Sequence, residues 1–393
     1  MSLPRIRLAA PAIDARDQRA VADILASGWL SGGPTIAAFE SAVADRCGVN
    51  QGVAVSSGTT ALSLALDVLG VGPGDEVIVP SFTYVATAHA VALTGATCVL
   101  ADVEKDTWNL NPKAANAALT SKTRAIIPVD QFGLLANLDA LTRIVADHTP
   151  SALSLIEDAA CALGATAPNT SEDAQDGDER RCGHAPARLA CLSFHPRKII
   201  TCGEGGMILT NDQDLADRLR ERRNHGRDAQ GIYHGVGGNY RLSAIGAALG
   251  LAQLSRLDTF LDRRRSLAAR YRDRLAPFIE NGILHLQQPN PGHAYQTFAL
   301  SLGGPPDAHR RDTLIRSLGD RGIESGIATT AAHQLPPYRN ATSAAMLPVA
   351  EWLGCNGFSL PLHMGLSDDD VDRVCHALTA CVGAKTGSSG ALA

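Results

Sequence analysis

The stretch SFHPRKIITCGEGGM (Ser193–Met207) holds one lysine, Lys198, between two apolar runs and just ahead of a glycine-rich turn. A lysine amine is a nucleophile only when deprotonated, and an apolar pocket or a cationic neighbour promotes that state; a snorkelling surface lysine is the plainer use. In SSGTTALSLAL (Ser56–Leu66) a small polar turn leads from an apolar run into a helical pattern. The free N–H groups of a helix start, flanked by Thr59 and Thr60 and opened by Gly58, can bind an anion; a simple N-cap is the commoner role of Ser-Gly-Thr. LIEDAACALGA (Leu155–Ala165) puts Glu157 and Asp158 at the end of an apolar run, where a carboxylate could hold a cationic ring nitrogen or merely cap the next helix. PSFTYVATAHA (Pro80–Ala90) offers Tyr84 to stack on a flat ligand, in a chain only 4% aromatic, or to pack in the core.

An anion-binding helix start, a strand-end carboxylate, an aromatic and a lysine, in this chain order, are the parts that a pyridoxal phosphate site requires. The phosphate would take the helix start, Asp158 would keep the pyridine nitrogen protonated, Tyr84 would cover one ring face, and Lys198 would form the Schiff base.

The elements needed to position these residues are legible between about residues 50 and 215. Gly52–Val55, Glu76–Val79, Thr97–Ala101, Arg124–Pro128, Leu153–Ile156, Leu189–Ser193 and Met207–Thr210 read as buried strands, with helical patterns such as Thr60–Leu69, Val85–Thr94 and Leu138–His148 between several of them. Apolar strands without alternation, separated by helices, predict an α/β fold with a mainly parallel sheet covered on both faces. A long helical pattern over Ser243–Leu275, broken near Asp258, leads into a smaller α+β region. Its strand candidates are Ile283–Leu286 and Gln296–Leu302, and its helix candidates Arg310–Arg321 and Asp368–Val382. The expected division is a large cofactor-binding domain over 1–250, a small C-terminal domain over 251–383 and a disordered tail over 384–393. The polar, acidic stretch Pro168–His184 reads as a solvated loop insertion.

The 393 residues are 45% hydrophobic, enough for a large core, and the net charge of -5 argues against a nucleic-acid partner. No apolar run reaches membrane-spanning length, and the N-terminus carries no signal-like segment. Nine scattered cysteines are expected as free thiols in a reducing cytoplasm, and Cys182 with His184 has no second pair at zinc spacing.

The chain resembles the DegT/DnrJ/StrS-type sugar aminotransferases, a branch of the fold type I pyridoxal phosphate enzymes with the aspartate-aminotransferase-like fold. The resemblance runs through SSGTTAL, GDEVIVPSFTYVATA, EDAACALGA, SFHPRKIITCGEGGM, RRNHG and GGNYRLSAIGAALGLAQLSRLD to LPLHMGLSDDDVDRV (Leu360–Val374), most of the chain. It implies amino transfer, usually from glutamate, to a keto group of a nucleotide-linked sugar. Lys198 would carry the cofactor and shuttle the proton, with Asp158 on the ring nitrogen and Tyr84 on the ring. Gly58, Thr59, Thr60 and Ser193 would hold the phosphate. It also implies a homodimer with shared active sites, in which Asn239 of the GGNYRLS loop, with Arg241 beside it, reaches the neighbour's phosphate. This chain departs from the family pattern at Cys161, where relatives often place Gln or His toward the ring hydroxyl. It departs again at Asp130, which stands in PVD where the family reads PVH, and in the longer stretch Pro168–His184. Of the alternatives, a sugar dehydratase on the same scaffold would lack the lysine, a non-catalytic cofactor-binding regulator would show no turnover with glutamate, and a nicotinamide dehydrogenase lacks its glycine spacing at Gly235–Asn239.

Overall fold

The computed structural model describes residues 4–148, 153–168, 178–184, 186–339 and 346–383. The chain opens with helices α1 (Ala15–Ser27) and α2 (Pro34–Cys47). A regular alternation follows: β1 (Gln51–Val55), α3 (Gly58–Val68), β2 (Glu76–Pro80), the short β3 (Phe82–Thr83), α4 (Ala86–Leu93), β4 (Thr97–Ala101), α5 (Pro112–Ala117), β5 (Thr123–Ile126), α6 (Leu138–Asp147) and β6 (Ser154–Asp158). A hairpin of β7 (Thr166–Pro168) and β8 (Glu179–Arg181) leads to β9 (Leu189–Ser193), β10 (Gly206–Thr210), α7 (Gln213–Arg223), α8 (Ala244–Leu254) and α9 (Leu257–Glu280). The rest comprises β11 (Leu284–Leu286), β12 (Phe298–Leu302), α10 (Ala308–Gly319), β13 (Gly326–Ile327), β14 (Thr330–Ala331), α11 (Pro348–Asn356), β15 (Gly357–Leu360) and α12 (Asp368–Gly383).

Helix starts are fixed by the residue types that cap them. Ser57, Asn111, Asn137, Asp212, Ser243 and Asp307 each accept a hydrogen bond from a backbone N–H of the first turn. The large sheet runs β1-β10-β9-β6-β5-β2-β4. Neighbours from β9 to β4 are parallel, and β10 runs antiparallel to both β9 and β1. Residues of β6 and β10 are buried throughout, which explains why their sequence does not alternate. Around one face gather side chains of α3, α4 and α7; around the other, those of α2 and α8. A second, antiparallel sheet, β11-β12-β15-β13, carries its own core with α9, α10 and α12, into which Ile6 from the start of the chain also packs.

The α/β fold and the mainly parallel sheet stand as expected, and the helical pattern near Asp258 breaks between α8 and α9. The stretch Pro168–His184 differs. Residues 169–177 lie outside the described residues, as does the tail 384–393, but β8 pairs with β7, and Arg180 and Cys182 are buried. The described part of that stretch is therefore a seated hairpin and not a solvated loop. Its polarity misled because Arg180 is neutralised by a carboxylate distant in sequence.

Candidate active site

One edge of the large sheet gathers the chemistry. Ser193 at the end of β9 pairs with Gly206, which also pairs with Val55 at the end of β1; Asp158 at the end of β6 pairs with Cys191. Because β10 runs against its neighbours, its first residue arrives where theirs end. Gly206 is required there: a Cβ would lie 2.3 Å from the Ser57 carbonyl oxygen. Gly58 is likewise required, since a Cβ would stand 2.8 Å from Cβ of Ser193. The turn from β1 into α3 is thereby pressed onto the end of β9.

Between β9 and β10 the chain makes one excursion, Phe194 to Gly205, closed at its base by Phe194 N–H on the Gly205 carbonyl and by Cys202 N–H and the Thr201 hydroxyl on the Phe194 carbonyl. At its tip Lys198 N–H donates to the His195 carbonyl (2.8 Å), and the Lys198 ammonium reaches back over the end of β6 to the Cys161 sulfur at 3.2 Å. The long cationic side chain is thus carried across the strand ends into the space beyond Asp158.

Asp158 is 4% exposed. Its carboxylate accepts from the Thr87 hydroxyl (2.8 Å) and the Ala160 N–H (3.2 Å). Burial raises its carboxyl above the ordinary value, while the Thr87 and Ala160 bonds and the charge of Lys198 pull it back. A buried carboxylate with neutral donors can accept a cation.

Ser57 caps α3 by accepting from Thr60 N–H, and the Thr60 hydroxyl lies 2.9 Å from Ser57 Oγ and 3.2 Å from Ser56 Oγ, so the plain capping role is present. The N–H groups of Gly58 and Thr59 belong to the first turn, where a helix supplies no acceptor of its own. Tyr84 is not a core residue: it is 71% exposed, and its carbonyl accepts from the Thr87 that holds Asp158. The GGNYRLS loop runs beside the α3 turn of its own chain. Ser56 N–H donates to the Tyr240 carbonyl (2.8 Å), Arg241 bridges Val55, and its guanidinium bonds the Asn224 side chain. Asn239 is exposed at the surface of this loop. Lys198, Asp158, Cys161, Ser193 and the Gly58–Thr60 turn are therefore brought to one edge, with Tyr84 one turn away from Thr87. Thr87 escaped the sequence reading; a hydroxyl three residues after the aromatic was its signal.

Behind this edge lies a second cluster. Glu157, fully buried, accepts from Gly183 N–H (2.7 Å) and faces Arg180 at 3.4 Å, and Arg180 also donates to the Ala136 carbonyl (2.8 Å). Asp130 accepts from Ala136 N–H (2.7 Å). Burial and the charge of Glu157 push the Asp130 carboxyl well above its ordinary value, and its buried Oδ2 has no hydrogen-bond partner among the described residues. Among the described residues no group of three or more His, Cys, Asp or Glu could hold a metal ion, and no helix is long and apolar enough to cross a membrane.

Residues 11–379 match the DegT/DnrJ/EryC1/StrS aminotransferase family. Among curated relatives, the GDP-perosamine synthase of Caulobacter vibrioides is 40% identical over 380 residues, 96% of this chain and 98% of that protein. Among solved structures, S. venezuelae DesV in complex with a ketimine intermediate superposes with a TM-score of 0.85 at 34% identity, covering 97% of this chain and 99% of that one. The PLP form of the putative sugar aminotransferase Spr1654 from Streptococcus pneumoniae does so with 0.85 at 26% identity, covering 97% and 99%. With the lysine, the strand-end aspartate and the α3 turn at one edge, and with this match over nearly its whole length, the chain belongs to the DegT/DnrJ/EryC1/StrS aminotransferase family.

Proposed function

We propose that the protein is a pyridoxal phosphate-dependent aminotransferase that moves an amino group from an amino acid, glutamate first, to a keto group of a nucleotide-linked sugar. The observation that carries this reading is the placement of the Lys198 amine beside Cys161, over the end of the strand that presents Asp158, with Gly58 pressed onto Ser193 across the same edge. The donor set suits the cofactor: an anion end at the α3 turn, a buried carboxylate for a cationic ring nitrogen, and an amine reaching over the same edge.

The N–H groups of Gly58 and Thr59, with Thr60 and Ser193, would hold the phosphate. Asp158 would pair with the ring nitrogen, and that positive charge would offset the burial that raises its carboxyl. Tyr84, standing free at the mouth, would cover the ring. When bound, the cofactor supplies the electron withdrawal that lets the carbon beside the amino group release its proton. Lys198 Nζ accepts that proton and returns it, a general acid–base role that its reach across the strand ends permits. The bonds from Thr87 and Ala160 favour the charged form of Asp158 against its burial. The division expected from sequence, at about residue 250, would set this edge against the smaller C-terminal part.

The similar GDP-perosamine synthase makes a GDP-linked keto sugar the first acceptor to test. Incubation with glutamate and candidate nucleotide keto sugars should yield 2-oxoglutarate and an amino sugar. Borohydride should fix the cofactor covalently at Lys198, and Lys198→Ala should lose both properties. Normal turnover by that variant would remove the reading.

The proposed assembly is a homodimer in which Asn239, with Arg241, completes the neighbour's site. The exposed apolar residues just before the GGNYRLS loop, Tyr233 and Val236, with Trp29 and Leu30 nearby through Ala244 N–H on the Leu30 carbonyl, support a self-association surface here. Mixing inactive Lys198→Ala with an inactive Asn239→Ala variant should restore part of the activity; no recovery despite subunit exchange would refute shared sites.

A further inference from the structure

The excursion that carries Lys198 is anchored at its base, but its tip is held from elsewhere. Gln296, just before β12, donates from Nε2 to the carbonyl of Arg197, the residue preceding Lys198, at 2.8 Å. The direction of this amide is settled by the Arg197 carbonyl, which can only accept; Gln296 Oε1 then accepts from the Thr297 hydroxyl at 2.9 Å.

The backbone under Gln296 is held with unusual thoroughness. Its N–H donates to the Phe132 carbonyl (2.9 Å). The buried Arg264 guanidinium donates to the carbonyls of Tyr295 (3.0 Å), Gln296 (3.1 Å) and Leu362 (3.3 Å). Tyr295 itself sits at φ 47, a conformation that a bulky residue adopts only when its surroundings impose it. Its N–H donates to Nδ1 of His293, and the two rings stack 3.9 Å apart. The same strap reaches the other side of the lysine. A Cβ at Gly133 would stand 3.0 Å from the Cys161 carbonyl oxygen and 3.1 Å from Tyr295 N. One strained, over-determined segment thus holds the Arg197 carbonyl, one residue before Lys198, and packs against Gly133, whose other neighbour is the carbonyl of Cys161, the residue whose sulfur meets the amine. Packing alone needs no amide aimed at the peptide before the lysine.

We propose that Gln296 is a positioning residue for Lys198: it holds the Arg197–Lys198 peptide so that the amine stays against Cys161, over the site. The proposal rests on the assignment of Lys198 above, but it concerns this chain's own residues and can be tested without cofactor. The probe is o-phthalaldehyde, whose two carbonyls condense with one amine and one thiol, releasing two waters, into a fluorescent isoindole only where the two groups lie side by side. In the cofactor-free parent, isoindole should form between Lys198 and Cys161, and Lys198→Ala and Cys161→Ser should each abolish it.

Gln296→Glu keeps the size and the backbone bonds but cannot donate to Arg197; Gln296→Ala removes the contact outright. Both should slow isoindole formation about tenfold and lower kcat of the loaded enzyme between about ten- and a hundredfold, with little change in KM. Melting temperature should stay within about 2 °C of the parent. Should the alanine variant fail to fold, Gln296→Glu decides, and Thr297→Val, which frees the amide to turn, should show a smaller effect in the same direction. Parent-like isoindole rates in Gln296→Glu would overturn the proposal, even if kcat falls. Absence of isoindole in the parent itself, or activity in Lys198→Ala, would instead strike at the assignment of Lys198.

Discussion

Asp158 and Glu157 are consecutive residues at the end of β6, both buried, and both with carboxyls raised by burial, yet they face opposite sides of the sheet and lead different lives. Glu157 is enclosed by partners from its own chain: the Arg180 guanidinium, the Gly183 N–H and the neighbouring Asp130 carboxyl. Asp158 meets neutral donors, the Thr87 hydroxyl and the Ala160 N–H, and only the distant charge of Lys198. The strand spends the same chemistry twice. On one face it is closed on itself and seats the β7–β8 hairpin. On the other the carboxylate is met by a hydroxyl and a backbone N–H, with no ion pair among the described residues. A raised carboxyl alone therefore does not mark a site; a carboxylate held by neutral donors, with no cation paired to it, is the better sign.

Three substitutions break or sharpen this contrast. The largest effect belongs to the open face. Asp158→Asn should lower kcat by about 10²–10³, because an amide cannot balance a ring cation. Its melting temperature should hold or rise, since a neutral amide is less costly to bury than a carboxylate with neutral partners only. An Asn variant that is active but unstable would reverse the roles assigned to the two faces. Next is the closed face. Glu157→Ala leaves the buried Arg180 without its carboxylate and should destabilise the protein by about 3–5 kcal/mol, read by denaturant titration. A loss below about 1 kcal/mol would mean that the cluster does not seat the hairpin.

The smallest effect is at Asp130. Its carboxyl is raised in the folded state by burial and by Glu157, so the stability it contributes is complete below the ordinary carboxylate range and is lost as pH rises through the raised value. Asp130→Asn, which keeps a donor toward Glu157 and never ionises, should flatten this profile. Compared with the parent it should gain stability from pH 4 to pH 8, by about 1–2 kcal/mol. A parallel pair of stability curves would show that the Asp130 carboxyl is not raised on folding.

Legibility in the sequence followed the physics of each region. The strands of the large sheet were readable because burial on both faces leaves unbroken apolar runs, and Asp158 and Lys198 because they stand at the ends of such runs. Helix α7, QDLADRLRERR, buries only Leu215, Ala216 and Leu219, and so its pattern is nearly all charge; α1 buries still less. Arg180 was hidden for a different reason. Its polarity signals solvent until Glu157, reached only by the fold, is beside it. The exposure of Tyr84 and the anchoring of Lys198 by Gln296 are likewise matters of contact between segments far apart in the chain. Neither period nor composition records them.

The antiparallel β10 also has a meaning in time. Pairing β9 with β10 closes a loop of about a dozen residues, whereas pairing β1 with β10 closes one of about 150. By the polymer estimate of loop-closure entropy the second costs about 2 kcal/mol more than the first. The lysine excursion is therefore the more local piece of this edge and the turn at Gly58 the remote one, so the loop of Lys198 can close as a hairpin while the Gly58 turn is still part of an unfolded chain. Pulse-labelled hydrogen exchange during refolding should find the Phe194 and Cys202 amides protected before those of Ser56 and Thr60, and the reverse order would show that β1 docks first.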